Sequence, residues 1–183
     1  MSVATPGLFD AHLHIIDPAF PLVANQGYLP PPFTVADYRA QAEALGITGG
    51  AVVSGSFQSF DQGYLLAALA ALGEGFVGVT QLPADASDRE IDRLDDAGVR
   101  ALRFNLRRGG PLDPAQIERC ARHVFARHGW HVEFYVDAAS LAEMVPLLRR
   151  LPAVSIDHLG LEAAALPTLL PLIESGVRVK ATG

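Results

Sequence analysis

The sequence predicts an α/β fold of the (β/α)8 TIM-barrel type that is truncated after about seven strands. Three observations predict it. Short apolar runs alternate with helical patterns that end at glycine. The runs are apolar throughout, as in strands buried on both faces, and the helices between them are long enough to be crossovers of a parallel sheet. The first strand-to-helix loop has no G-x-G-x-x-G, which favours the barrel over a doubly wound open sheet.

The predicted strands are apolar runs bounded by glycine, proline or polar residues. They cover residues 8–14, 47–55, 75–82, 99–105, 131–137, 153–160 and 177–183. Because a helix separates each strand from the next, every connection crosses over, and we expect all strands to run parallel.

The predicted helices show apolar residues at helical spacing and carry end signals. They cover residues 34–46, 61–73, 87–98, 113–129, 140–150 and 162–175. Thr34 and Ser87 are N-cap residues, Gly46 is a C-cap, and Asp113 is an N-cap followed by Pro114 at the first helical position. We expect residues 1–183 to form a single, incomplete barrel domain.

Composition narrows the class of partner. The chain has 183 residues, a net charge of −6 and no cluster of basic residues beyond short pairs, so we expect a small-molecule substrate and no nucleic acid. No apolar run is long enough to cross a bilayer, and no signal peptide is evident, so the expectation is a cytoplasmic protein with no membrane partner. The single cysteine, Cys120, is expected to be inert core.

Acidic and imidazole side chains stand at the predicted carboxyl ends of strands, where such folds bind ligands. Alternate strand residues share a face, so His12 and His14 should project together towards the barrel axis. His158 would bring a third imidazole, and three can form a zinc-type or acid–base site. Asp10 has the same parity and should orient an imidazole or take part directly. Asp157 should point the other way, into a structural hydrogen bond.

The other three histidines lie on a helix or at the opposite end of a strand. They are His123, His128 and His131. We expect them to be structural or solvated.

Three motifs resemble a known family. The runs "FDAHLH" at 9–14, "RFN" at 103–105 and "DHLG" at 157–160 occur in this order on an alternating chain. Together they resemble the amidohydrolase superfamily and, within it, its lactonase branch. The resemblance extends from about Phe9 to Gly183 and implies a barrel hydrolase.

The resemblance implies catalytic roles. His12, His14 and His158 match family histidines that bind zinc or manganese in metal-dependent members. In members thought to work without metal, the same histidines bind and polarise the substrate carbonyl. The implied cofactor is therefore one divalent metal, with a metal-independent mechanism as the alternative. Arg103 looks like the family arginine that holds a substrate carboxylate and completes the catalytic set.

The resemblance also implies substrate contacts. The substrate-binding positions are Tyr28, Ser56, Arg103 and Tyr135. Arg107 or Arg108 could supply a second cation. Loop packing is the alternative for Tyr28 and Ser56, and a neighbouring acid could satisfy Arg103 instead of substrate.

The chain departs from the family pattern at its end. Family barrels have eight strands, and an aspartate after the eighth activates water, but this chain stops where strand seven should end and no acid matches that aspartate. A truncated product or a segment outside the given sequence is favoured over a seven-stranded form closed by a partner subunit. For the 183 residues alone, we expect weak hydrolase activity or none, and association into a homo-oligomer through the open edge.

The expected function is hydrolysis of a cyclic ester, one that carries a carboxylate, with water as the nucleophile. The alternatives are a decarboxylase of the same superfamily and a non-catalytic barrel that keeps a ligand pocket.

Two loops are expected near the site. The proline-rich segment at 19–33 follows strand one and is either a cover over the pocket or a rigid connector. The basic segment at 106–113 is either a loop that approaches an anion or a flexible linker.

Overall fold

A computed structural model describes residues 7–25, 27–109 and 113–182. In these ranges seven strands form one parallel sheet, and their spatial order follows the chain. They are β1 (Leu8–Leu13), β2 (Ile47–Val53), β3 (Phe76–Thr80), β4 (Val99–Asn105), β5 (His131–Tyr135), β6 (Val154–Ile156) and β7 (Arg178–Val179). The predicted strand–helix alternation is confirmed. The predicted domain limits at 1–6 and 183, and part of the basic loop, 110–112, lie outside the described residues.

Seven helices occur in the described ranges, and all but the four-residue helix directly after β4 pack on the outer face of the sheet. They are α1 (Val35–Leu45), α2 (Gly63–Leu72), α3 (Asp88–Asp96), α4 (Leu106–Gly109), α5 (Pro114–His128), α6 (Ala138–Leu148) and α7 (Leu166–Glu174). The predicted caps Thr34, Ser87 and Asp113 each accept a backbone N–H at a helix start. The short helix α4 was predicted as a loop. Helix α7 begins later than predicted because a 3-10 turn, Ala163–Ala165, precedes it.

The sheet is strongly curled. Five strand spacings separate β1 from β6, which in a flat sheet would be about 24 Å. The imidazoles of His12, on β1, and His158, just after β6, have ring centroids only 4.5 Å apart. The described strands therefore form the greater part of a barrel wall, with the carboxyl ends of β1 and β6 brought together across its mouth.

The core has two sides of different size. The main core fills the space between sheet and helices, and includes Val52, Leu102, Phe134 and Ile156 from the strands and Leu65, Leu94, Ile117, Leu141 and Leu169 from the helices. The inner face carries a smaller apolar cluster of Ala51, Val53, Val79 and Ala101. Small side chains on β2 to β4 leave room inside the curl for the larger polar residues of β4 to β6.

The proline-rich loop after β1 is fixed at the carboxyl end of the sheet. Ile16 and Phe33 exchange two backbone hydrogen bonds of 2.7 and 2.9 Å, and the Val23 N–H donates to the Phe57 carbonyl at 2.8 Å. These bonds hold the loop against the segment after β2, so the loop lies beside the mouth of the curled sheet.

None of the helices in the described ranges has the length and apolar character required to cross a membrane.

Candidate active site

The H-x-H histidines face each other at the end of β1. His12 lies on the strand and His14 follows it directly, so both project from the inner face. Their ring centroids are 4.9 Å apart, and their Nε2 atoms are 3.4 Å apart. The structure thus brings together the two side chains that alternation predicted to meet.

His14 is fixed as a neutral imidazole. Its Nδ1–H donates to the Val53 carbonyl at 2.7 Å, which leaves a lone pair on Nε2. Burial, followed by repulsion from the nearby His12 and Arg103, lowers the pKa of His14 to about 3. Its Nε2 can therefore accept a hydrogen bond or bind a metal at neutral pH.

His158 reaches the same point from the other side of the curl. Its Nδ1–H donates to the Thr182 carbonyl at 3.0 Å, and the Thr182 hydroxyl lies 3.1 Å from the same nitrogen. The His158 Nε2 is consequently the free nitrogen. The ring of Tyr135 stands edge-on to His158 at 5.8 Å between centroids.

The turn that presents His158 is left-handed over four residues. The φ angles of His158, Leu159, Gly160 and Leu161 are 50°, 52°, 69° and 69°. Residues other than glycine rarely adopt this conformation, because it brings Cβ close to the carbonyl oxygen. Non-glycine residues held there indicate that surrounding contacts determine the position of His158.

Asp157 lies inside the site, so the prediction that it points away is wrong, whereas the predicted structural hydrogen bond is present, with Arg103 as its donor. Ile156 packs in the core between sheet and helices, and Asp157 continues in extended conformation, so alternation places Asp157 inside. The left-handed conformation that begins at His158 breaks the alternation and brings that imidazole to the same side. The Asp157 carboxylate is fully buried, and its Oδ1 lies 3.5 Å from the His12 Nδ1. Burial alone would raise the pKa of Asp157, but the adjacent His12 and the charge of Arg103 hold that pKa below its ordinary value.

Arg103 is paired within the protein. Its Nε donates to the Asp157 Oδ2 at 3.0 Å and its Nη2 lies 2.9 Å from the same oxygen. Its Nη1 donates to the Ser54 carbonyl at 2.8 Å, and its Cζ is 5.1 Å from the centroid of the Tyr135 ring. The sequence left two partners open for Arg103, a substrate carboxylate or a neighbouring acid. In the structure its partner is the acid Asp157, just after β6.

Asp10 does not orient an imidazole, contrary to expectation. Its Oδ2 accepts from the Tyr38 hydroxyl of α1 at 3.2 Å, and its Oδ1 accepts the His12 backbone N–H at 3.1 Å. An irregularity in the β1–β2 pairing between Asp10 and Leu13 shifts the alternation by one residue. Asp10 therefore faces the helix layer, whereas His12 faces the inside.

A cleft of about 160 Å³ opens between these side chains. It is lined by His14, Tyr28, Gly55, Ser56, Phe57, Arg103, Asn105, Arg108, Tyr135 and His158. All the substrate-binding positions implied by the resemblance are on this wall. His12 lies behind it, nearly buried, with its side chain 3% exposed.

A larger cleft of about 510 Å³ adjoins the first. The two clefts share Tyr28, Arg108 and Tyr135 on their walls, and Arg107 and Glu162 also line the larger one. The guanidinium of Arg108 stacks over the Tyr28 ring, 5.1 Å from its centroid. The mouth of the site therefore carries basic groups that suit an anion.

A divalent metal fits one set of donors in the described part of the chain. His12, Asp157 and His158 each offer one ligand atom, and these atoms lie within 4.8 Å of one another. Two of the candidate atoms, the His12 Nδ1 and the Asp157 Oδ1, are buried without a hydrogen-bond partner among the described residues. Two imidazoles and a carboxylate form a common zinc-binding set. The predicted set of metal ligands was His12, His14 and His158. In the structure Asp157 takes the place of His14 in this set.

Sequence reasoning missed two further charged residues inside the curl. Lys180, directly after β7, and Glu133, on β5, are both nearly buried and form an ion pair. The sequence does single out Lys180 in one respect, because it is the only lysine among the 14 basic residues of the chain. Asn105, also buried, lines the cleft beside Arg103.

The remaining histidines lie away from the cleft. His123 and His128, on α5, contact Asp88 and Asp92 of α3 at 2.9 and 2.7 Å. His131 begins β5 and lies 3.2 Å from Glu133. Cys120 is partly buried on α5, and burial raises the pKa of its thiol.

Comparison with known proteins identifies the family to which the chain belongs. A family model described as Amidohydrolase matches residues 9–182. A curated 2-pyrone-4,6-dicarbaxylate hydrolase of Comamonas testosteroni is 32% identical over 159 residues, which are 84% of this chain and 52% of that protein. A 4-sulfomuconolactone hydrolase of Rhizobium radiobacter is 30% identical over 180 residues, 93% of this chain and 60% of that protein. The chain thus spans 52–60% of the length of these two relatives.

A solved structure agrees in fold. It is described as a probable 2-pyrone-4,6-dicarboxylic acid hydrolase from Acinetobacter baumannii with citric acid bound. It superposes with a TM-score of 0.83 at 21% identity, over 96% of this chain and 70% of the other. At this identity the likeness concerns the fold alone, and it supports the (β/α)8-type architecture.

Proposed function

Because the chain belongs to the amidohydrolase family, we propose that it carries the histidine-lined site of a hydrolase that opens a lactone by attack of water. The observation that carries this proposal is the meeting of His12 and His158, with ring centroids 4.5 Å apart, beside the buried Arg103–Asp157 pair. The two curated relatives are hydrolases of a pyrone dicarboxylate and of a sulfomuconolactone, which supports a cyclic ester as the substrate class.

The substrate we propose carries a carboxylate. Arg108 and Arg107 line the larger of the two adjoining clefts, and a planar guanidinium binds a carboxylate through two parallel hydrogen bonds. Tyr28, Ser56 and Tyr135 line the inner cleft and would hold the ring of the lactone. Arg103 would act mainly by fixing Asp157, since its Nε and Nη2 are directed to that carboxylate.

The protonation states favour a role for the imidazoles in holding water. In both His14 and His158 the Nδ1–H donates to a backbone carbonyl. In the neutral form of either ring the lone pair is therefore on Nε2, and for His14 the lowered pKa of about 3 makes that form the one present at neutral pH. Such a nitrogen accepts a hydrogen bond from water, whereas polarising a substrate carbonyl by hydrogen bonding would need a proton on it. The tautomers therefore support activation of water over direct polarisation of the ester.

A divalent metal, when bound, would lower the pKa of its water and polarise the ester carbonyl. His12, Asp157 and His158 are the residues that would hold it, and zinc or manganese suits this donor set. His14 would then lie beside the metal-binding group as an acceptor for the attacking water.

The test is an assay of the chain on a panel of lactones with and without a carboxylate, before and after chelation and reloading with zinc or manganese. We expect weak turnover of carboxylate-bearing lactones. His158→Gln should lower this turnover by about 100-fold or more, while His123→Gln, on the outer helix α5, leaves it unchanged. Release of CO₂ in place of ring opening would indicate the decarboxylase. Binding of lactones with no turnover under any metal condition would indicate a pocket without chemistry and contradict the proposal.

A further inference from the structure

Lys180 occupies a buried position between two carboxylates. Its Nζ lies 2.7 and 2.8 Å from the two carboxylate oxygens of Glu133 and 3.7 Å from the Asp157 Oδ1. The Lys180 side chain is only 11% exposed, and those of Glu133 and Asp157 are 1% and 0% exposed. One ammonium therefore links the floor of the curl to a carboxylate of the candidate site.

The choice of lysine suits this position. Every other basic residue of the chain is an arginine. An ammonium is a compact charge with three donors, whereas a guanidinium is planar and longer, so an ammonium fits more easily between two carboxylates on neighbouring strands. With Arg103 on the other oxygen of Asp157, the buried cluster holds two carboxylates and two cations and is neutral in total.

The backbone at Lys180 also holds the turn that carries His158. The Lys180 N–H donates to the Ile156 carbonyl at 2.9 Å, and the Lys180 carbonyl accepts from the Leu159 N–H at 3.1 Å. Two residues later, the Thr182 carbonyl accepts the His158 Nδ1–H. The segment after β7 therefore positions Asp157 through a side chain and His158 through the main chain.

We propose that Lys180 is a positioning residue of the active site: its ammonium ties the Asp157 carboxylate to Glu133 and so holds Asp157 against His12 and Arg103. A buried ion pair is expensive to desolvate and contributes little net stability compared with apolar residues of similar volume. The Glu133–Lys180 pair is consequently better explained by the geometry it imposes on Asp157 than by stability. This inference rests on the proposed hydrolase function.

Replacing both Glu133 and Lys180 distinguishes a role in positioning Asp157 from a role in folding. Lys180→Met alone would leave the buried Glu133 carboxylate without its ammonium partner, with the His131 imidazole 3.2 Å away, and would destabilise the chain strongly. The double variant Glu133→Gln, Lys180→Met removes both charges, so we expect a melting temperature close to that of the unaltered chain. Its kcat on the best lactone should fall by about 10-fold to 100-fold, with KM changed less than about twofold.

The matched control is Glu90→Gln, Arg93→Met. This pair lies on the outer helix α3, with side chains 34% and 50% exposed, and its removal changes the same two charges. We expect the control to keep the kcat of the unaltered chain. A Glu133→Gln, Lys180→Met variant that also keeps that kcat would overturn the positioning role of Lys180.

A second readout does not depend on turnover. The Arg103 Nε–H is buried against Asp157 at 3.0 Å, so its hydrogen exchange, followed by NMR, reports whether that carboxylate stays in place. In the double variant we expect exchange of this proton to become about 10-fold faster or more, with the backbone amides of β4 and β5 still protected. Unchanged exchange would refute the proposal. If the unaltered chain hydrolyses no lactone, the proposed function fails, and this exchange measurement alone decides the role of Lys180.

Discussion

Single hydrogen bonds from outside the histidine cluster determine what each imidazole can do. The Val53 carbonyl takes the Nδ1–H of His14, and the Thr182 carbonyl takes the Nδ1–H of His158. Each bond fixes the ring orientation and, in the neutral ring, the tautomer, and both histidines line the same cleft. The chemistry of the site is therefore set by two backbone carbonyls as much as by the histidines.

The tautomer of His14 can be measured directly. Burial, with the repulsion of His12 and Arg103, lowers the pKa of His14 to about 3, so this imidazole should remain neutral, with its proton on Nδ1, from neutral pH down to about pH 4.5. The check is a pH titration of ¹⁵N-histidine-labelled protein by NMR. The same chain in urea is the control, where the residue should titrate near its ordinary value of 6.5. A folded-state midpoint above about 5.5 would contradict the assignment.

At the scale of elements, the left-handed turn after β6 is the part of the fold on which His158 depends. At Gly160, with φ of +69°, a Cβ would lie 2.7 Å from the Cβ of Ala165. Glycine is thus required both for its backbone conformation and for the close approach of the 3-10 turn before α7.

Substitution of this glycine separates the two requirements. Gly129 ends α5 with a similar φ of +73° and has open space where a Cβ would stand, so Gly129→Ala should cost only about 1 kcal/mol of unfolding free energy. Gly160→Ala adds the collision with Ala165 and should cost about 2 kcal/mol or more. Urea denaturation of both variants measures the difference. Equal losses would mean that the turn moves away from α7 without penalty.

These elements also show which structural features the sequence alone could predict. The strand order and the helix ends at Thr34, Gly46 and Asp113 were predicted because capping and alternation are local properties, legible within a few residues. Convergence of His12 and His158 followed from a general rule, that parallel strands bring their carboxyl ends to one edge of the sheet.

The side-chain directions that were mispredicted depend on contacts that are distant in sequence. The pairing irregularity of β1 turns Asp10 towards Tyr38, and the left-handed turn at His158 brings that imidazole to the same side as Asp157. Both break the two-residue alternation on which the predictions rested. The link from Lys180 to Glu133 spans 47 residues, and no local pattern encodes such a contact.

At the scale of the whole molecule, the site is a product of sheet curvature. Its members stand on or just after β1, β4, β5 and β6, with Lys180 following β7, and strands that a flat sheet would hold about 24 Å apart meet at one mouth. The inner face keeps small residues on β2 and β3, such as Ala51 and Val79, so that the charged side chains of β4 and β5 fill the interior. The small residues of β2 and β3 and the charged residues of β4 and β5 therefore complement each other on the inner face of the curled sheet.

Ion pairs at the surface join α3 to α5 in the helix layer. Asp92 accepts from the Arg127 Nε at 2.6 Å and lies 2.7 Å from the His128 Nε2. These contacts, first with Arg127 and then with His128, hold the pKa of Asp92 below its ordinary value of 3.8. A carboxylate whose folded-state pKa is lowered stabilises the fold above its unfolded pKa, and that stability is lost as the pH falls through the folded value.

Acid should accordingly weaken the protein in part through this one carboxylate. Between about pH 5 and pH 2, where imidazoles of ordinary pKa are already protonated, we expect the melting temperature to fall less steeply in Asp92→Asn than in the unaltered chain, because the variant has no carboxylate to protonate there. Asp96→Asn is the matched control: Asp96 is exposed on the same helix, and no ion pair among the described residues includes it, so its pH profile should follow that of the unaltered chain. Calorimetric melting curves across this range make the comparison. Parallel profiles for Asp92→Asn and the unaltered chain would show that the α3–α5 pairs do not contribute to acid sensitivity.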